Sequence, residues 1–174
     1  MNMLLIDGYN VIARGMAKNP KQAMGSDDAR CALREELVQC VKRYVAGKTG
    51  MEARIYFDGT VARGAPELSD RQVRVVFTAG DQGADNAIIK FCRAYSKPKD
   101  IEVVSDDWGT LVFHIRSQVG KVLSVAEFMR RLDSGRRSSQ ASRVSAKVKE
   151  EQEPPLSQSD RQAINQTLPD KWFR

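Results

Sequence analysis

The sequence contains a single histidine, His114, and that scarcity removes several reaction classes at once. A two-histidine ribonuclease mechanism lacks its second base. A Ser-His-Asp triad would rest on His114, which lies in the apolar-flanked run LVFHIRS and reads as a half-buried structural residue. Cysteine is almost as sparse. Cys31, Cys40 and Cys92 are far apart, odd in number and never spaced C-x-x-C, so neither a disulfide framework nor a thiolate metal site is expected, and a reducing compartment is. The G-x-x-x-x-G-K-[ST] phosphate loop is missing, and the glycines of TAGDQGAD match no phosphate-binding fingerprint. Nowhere do 18 apolar residues follow one another, and Met1 leads into NMLLID without a basic segment. The expectation is a soluble, unexported protein with no membrane partner.

What is present suits one ordinary domain. The chain has 174 residues, 41% of them hydrophobic, enough to bury a core without staples. A formal net charge of +6 fits a polyanionic partner without demanding one. Four β-rich runs stand out: MLLI before Asp7, ARIYF before Asp58, VRVVF before Thr78 and IEVV before Ser105. Each is nearly continuous in apolar residues, as strands covered on both faces of a parallel sheet are. Helical periodicity fills the gaps. One helix runs from the Ser26 cap to about Gly47, a second starts near Ala84, and a third opens on the Ser124/Glu127 capping box. Alternating strands and helices predict an α/β sandwich of three layers around a mainly parallel central sheet, joined by right-handed crossovers. This domain is expected to span residues 1–133. From 134 to 174 the composition turns to Ser, Gln, Lys, Arg and Glu around Pro154-Pro155, which predicts a mostly disordered, flexible tail ending in Trp172 and Phe173.

Acids finish three of the four runs: Asp7, Asp58 and, one serine later, Asp106. The carboxyl ends of parallel strands share one edge, so these side chains are expected to converge, with Asp85 joining from the helix after the third strand. Each alone is more often a turn or cap residue. Together they repel unless a cation sits among them, and oxygen ligands select a hard ion, Mg²⁺ or Mn²⁺. Asn10 fits either a turn or the orientation of a ligand. Arg63, Arg71, Arg74, Arg116 and Lys121 are candidates to hold a phosphate backbone, against the blander reading of solvated surface charge. A haloacid-dehalogenase-like phosphotransferase would place a second Asp two residues after the first, where this chain has Tyr9.

In order and spacing, DGYN, ARCALREEL with Tyr44 and Gly47, YFDG, VVFTAGDQGADNAI, VVSDD and SVAEFMRRL resemble the YacP-type NYN domain of the PIN-like nuclease superfamily. The resemblance covers roughly the first three-quarters of the chain and leaves the tail outside. WGTLVFHIRSQVGKVL, from Trp108 to Leu123, departs from the glycine-containing, arginine-bearing stretch of that family. What the resemblance implies is a metal-dependent endoribonuclease that hydrolyses RNA, with messenger RNA at the ribosome as substrate and partner. Asp7, Asp85 and Asp106 would be direct metal ligands, Asp58 a ligand or a group acting through water, and Asn10 an orienting group. Whether Asp107 reaches the metal is open. Its home would be a bacterial cytoplasm, or a plastid stroma after loss of a transit peptide. The competing expectation is an RNA- or ribosome-binding module that keeps the fold and cuts nothing.

Overall fold

A computed structural model of the chain describes residues 2–17, 26–60, 68–79 and 83–134. Every one of them belongs to a single unit, Met1–Arg137. Arg63, Trp172, Phe173 and all but the first residue of the expected tail lie outside the described residues.

Five parallel strands form the sheet: β1 (Asn2–Asp7), β2 (Met51–Asp58), β3 (Val73–Thr78), β4 (Ile101–Val104) and β5 (Lys121–Leu123), in the order β3-β2-β1-β4-β5. β1 is therefore the central strand, and it is buried along its length after Asn2. Its side chains alternate between two cores, as the strand period requires. Leu4 and Ile6 face α2 (Asp27–Val45), through Leu37, Val38 and Val41, and α5 (125–134), through Val125 and Phe128. Met3 and Leu5 face α3 (Gly83–Ala94), through Ala84, Ile88 and Cys92, together with Leu111 and Ile115. The result is the three-layer arrangement that the doubly apolar runs predict. No described helix is long and apolar enough to cross a membrane.

Local chemistry explains the helix ends. Ser26 accepts the N–H of Ala29 at 3.2 Å, with Asp27 and Asp28 in the first turn and Lys42 and Arg43 in the last, each sign matching the helix dipole. At α5 the expected capping box closes on one side. Ser124 Oγ accepts the Glu127 N–H at 3.2 Å, while the Glu127 carboxylate pairs with Lys121 and Arg131. Arg131 also reaches Glu102 on β4 at 3.1 Å, which pins α5 across the sheet.

Two elements depart from the sequence reading. The sheet has a fifth strand, β5, whose three residues are too few to show a periodicity. The chain also turns into a helix immediately after β1: α1 (Gly8–Val11), continued by a wide π turn, Ile12–Met16. Gly8 makes that turn possible, because a Cβ there would lie 2.8 Å from the Tyr56 carbonyl and closer still to the Phe57 ring. Gly8→Ala should therefore destabilise the domain by about 1–3 kcal/mol, the usual range for overpacking a tight contact. Urea unfolding monitored by circular dichroism checks this, and a midpoint equal to wild type would refute the close approach.

Candidate active site at the carboxyl edge of the sheet

Asp7 ends the central strand and is only 8% exposed. It caps α1 by accepting the Asn10 N–H at 3.2 Å, and it accepts the Ser105 hydroxyl at 3.1 Å. Ser105 Oγ in turn accepts the Asp107 N–H at 3.0 Å. The Asn10 side-chain oxygen accepts the Asp106 N–H at 2.9 Å. The end of β1 and the segment after β4 are thus laced together by polar bonds around one buried carboxylate.

Asp58, exposed at the end of β2, accepts the Ala84 N–H at the start of α3 and lies 3.2 Å from the Thr78 hydroxyl. Gly83 takes a left-handed φ of 51° just before that amide, a conformation glycine adopts without strain. Asp85, half-buried in the first turn of α3, lies 3.0 Å from the Thr110 hydroxyl, whose oxygen is also 2.6 Å from Asp107 Oδ2. A hydroxyl has one proton, so it can donate to only one of these two carboxylates at a time. Asp107 has further support, accepting the N–H groups of Gly109 and Thr110 at 3.1 Å each.

The electrostatics follow from this placement. Burial pushes the Asp7 carboxyl up to about 6, the negative charges of Asp85 and Asp58 push the same way, and the Asn10 and Ser105 bonds oppose them. Asp85 is raised, first by burial and then by the neighbouring Asp107 and Asp58 charges. Asp107 is lowered, chiefly by the Thr110 hydroxyl and the Thr110 N–H. Asp7, Asp58, Asp85 and Asp107 therefore share one field, and beside them the Asp106 carboxylate accepts the Val125 N–H at 3.1 Å and closes the start of α5. All these donors are oxygens, the chemistry of a site for a hard divalent cation. Among the described residues no three acidic, histidine or cysteine side chains are gathered closely enough to form a ready metal-holding group.

The basic residues singled out in the sequence are mostly elsewhere. Arg71 precedes β3 and Lys121 begins β5, so both stand toward the amino end of a parallel sheet, away from the acids, and Lys121 is bound to Glu127 at 3.1 Å. Arg74 is exposed early in β3. Arg116 is exposed and lies 5.8 Å from the Phe113 ring centre. His114 is exposed as well, rather than half-buried, because α4 (Phe113–Ile115) is a single turn whose buried side chain is Ile115. The cations nearest the acidic edge come from α2. Arg30, paired with Asp27, and Arg34 line a hollow of about 330 Å³ with Tyr9, Asp58, Gly59 and Thr60. Their spacing of four on a helix was the signal that could have found them.

Residues 4–172 match the YacP-like NYN domain. The chain belongs to that family. The match runs through the segment 134–172, which the motif resemblance had left out. The Bacillus subtilis (strain 168) protein YacP is 28% identical over 110 residues, which span 62% of this chain and 62% of that relative's length. A crystal structure of Bacillus subtilis Rae1 (YacP), in a mutant form, superposes with a TM-score of 0.64 at 25% identity, covering 87% of this chain and 86% of that one. A second crystal structure of that protein, at 22% identity and a TM-score of 0.66 over 95% and 89% of the two chains, supports the fold. The NYN fold is a nuclease-like domain of PIN type, and the carboxyl edge described above is the part of this YacP-like domain where acids accumulate.

Asp7 gives that edge a measurable signature. Its folded pKa of about 6 lies above the ordinary 3.8, so the folded protein holds this proton more tightly than the unfolded chain does. Stability from this group is full below pH 3.8 and is lost as pH rises toward 6, by about 3 kcal/mol. In metal-free buffer the melting temperature of Asp7→Asn, which cannot ionise, should rise relative to that of wild type as pH passes through that window, and a difference that does not change with pH would count against a buried carboxyl at this position.

Proposed function

We propose that the protein is a divalent-metal-dependent endoribonuclease that hydrolyses RNA phosphodiester bonds, with messenger RNA at the ribosome as its substrate. The observation that carries this reading is the buried Asp7 carboxylate, placed in the negative field of Asp85 and Asp58 at the carboxyl edge. Such a grouping is unfavourable to fold unless a cation offsets it. Asp7, Asp85 and Asp106 would hold the ion, with Asp58 and Asp107 beside them and one Asp106 oxygen also holding the start of α5. When bound, Mg²⁺ or Mn²⁺ would lower the pKa of a coordinated water and offset charge on the phosphodiester. The protein's own groups do the rest. Ser105 and Asn10 hold Asp7 and the Asp106 amide in place, the Thr110 hydroxyl bridges Asp85 and Asp107, and Arg34 on α2 offers positive charge to the RNA backbone.

One observation favours a second reading, an RNA- or ribosome-binding module without cleavage: among the described residues no three carboxylates are gathered into a metal-holding group. A single experiment separates the two. Labelled, structured messenger RNA is incubated with the protein, with and without ribosomes, in Mg²⁺, Mn²⁺ or EDTA. Wild type should cut only with metal and leave 5′-phosphate and 3′-hydroxyl ends, and Asp7→Asn and Asp85→Asn should each lower the rate at least about a hundredfold. Binding without cutting in every condition would establish the module instead, and a 2′,3′-cyclic phosphate on the products would exclude metal-activated water.

A further inference from the structure

The turn that follows the acids carries two features the proposed reaction does not use. Trp108 and Phe113 are the large apolar side chains left exposed among the described residues, each at 63%. They stand five residues apart across the wide π turn Trp108–Val112, whose hydrogen bonds join residues five apart, so they project about one turn from each other. Between them lies Thr110, bonded to Asp85 and Asp107, and the Asp107 carboxylate anchors the turn through Gly109 and Thr110. The turn that carries the aromatics is therefore anchored beside the acidic edge. The Arg116 guanidinium lies 5.8 Å from the Phe113 ring centre and adds positive charge to the same surface.

From this juxtaposition we propose that Trp108 and Phe113 form a stacking platform for unpaired RNA bases next to the scissile bond, with Arg116 as a backbone contact, so that the enzyme acts on single-stranded RNA. The proposal rests on the nuclease reading for its substrate. An exposed indole and phenyl in water lose little by accepting a base, and every base has a face to stack, so such a platform binds without regard to sequence. Bases inside a duplex already stack on one another and are closed to it. Charge complementarity selects this occupant. A polyanion with unstacked bases engages both features at once, the rings through its bases and Arg116 through its phosphates.

Trp172→Phe leaves Trp108 as the sole tryptophan, since the chain has two. In EDTA, which keeps the RNA whole, its fluorescence is titrated with an unpaired RNA of about 12 nucleotides and with a blunt duplex of the same sequence. The oligonucleotide should quench Trp108 in a saturable way and the duplex should not. In anisotropy titrations of the same labelled RNA, Trp108→Ala and Phe113→Ala should each weaken binding about tenfold, while Trp108→Tyr and Phe113→Tyr should bind nearly as wild type does. Melting temperatures of all variants report folding, and the tyrosine variants keep the test decisive if an alanine variant fails to fold. Cleavage in Mg²⁺ is read in parallel. Stacking without any cleavage by wild type would support the platform and remove the nuclease reading. Equal binding of duplex and unpaired RNA, or alanine variants that bind and cut unpaired RNA like wild type, would overturn the platform and leave the nuclease standing.

Discussion

A carboxylate buried at the end of the central strand is the constraint around which this edge of the molecule is organised. Asp7 cannot reach bulk water freely, and burying an ionised group without partners is among the least favourable acts in folding. The chain answers with short-range and long-range bonds together. Asn10 turns back within α1 to meet the Asp7 carboxylate, and Ser105 reaches it from the far side of the β1–β4 pairing. The same two residues then bond the backbone of Asp107 and Asp106, and Asp106 in turn holds the start of α5. One buried charge thus links the central strand, its neighbour and a helix packed across the sheet.

This arrangement leaves a field that changes sign over a short distance. The floor of the edge is negative, with Asp85 and Asp107 crowded against one Thr110 hydroxyl. Toward α2 stand Arg34 and Arg30, the latter paired with Asp27, and the turn after β4 adds exposed aromatic surface next to Arg116. An RNA strand is repelled by the floor and attracted by the rims. A bound cation would reverse the first effect, which is why acids can face a polyanion at all.

Much of the fold was legible in local pattern. MLLI, ARIYF, VRVVF and IEVV are apolar on both sides of the strand, and the structure places helices on both faces of each interior strand, with the cores that alternation requires. β5 and α1 escaped, because a three-residue strand and a single helical turn are too short to repeat the pattern that would reveal them. The candidate site was legible at the level of which strand ends carry acids. It was not legible between neighbours. Asp106 and Asp107 are adjacent in sequence, yet one carboxylate meets the Val125 amide and the other meets Thr110 beside Asp85.

The sequence by itself determined the layered α/β class and the collection of acids at one edge, because a parallel sheet sends the ends of all its strands the same way regardless of side-chain detail. Only the tertiary structure decided which cations face those acids. Arg71 and Lys121 lie near strand beginnings and are carried to the opposite end, while Arg30 and Arg34, on a helix, line one hollow with Asp58. It also decided that Thr110 meets an acid 25 positions away and that Trp108 and Phe113 stay exposed beside it. Pattern along the chain records how a residue suits its own element, whereas these contacts depend on how separate elements pack, which nothing in their local spacing records.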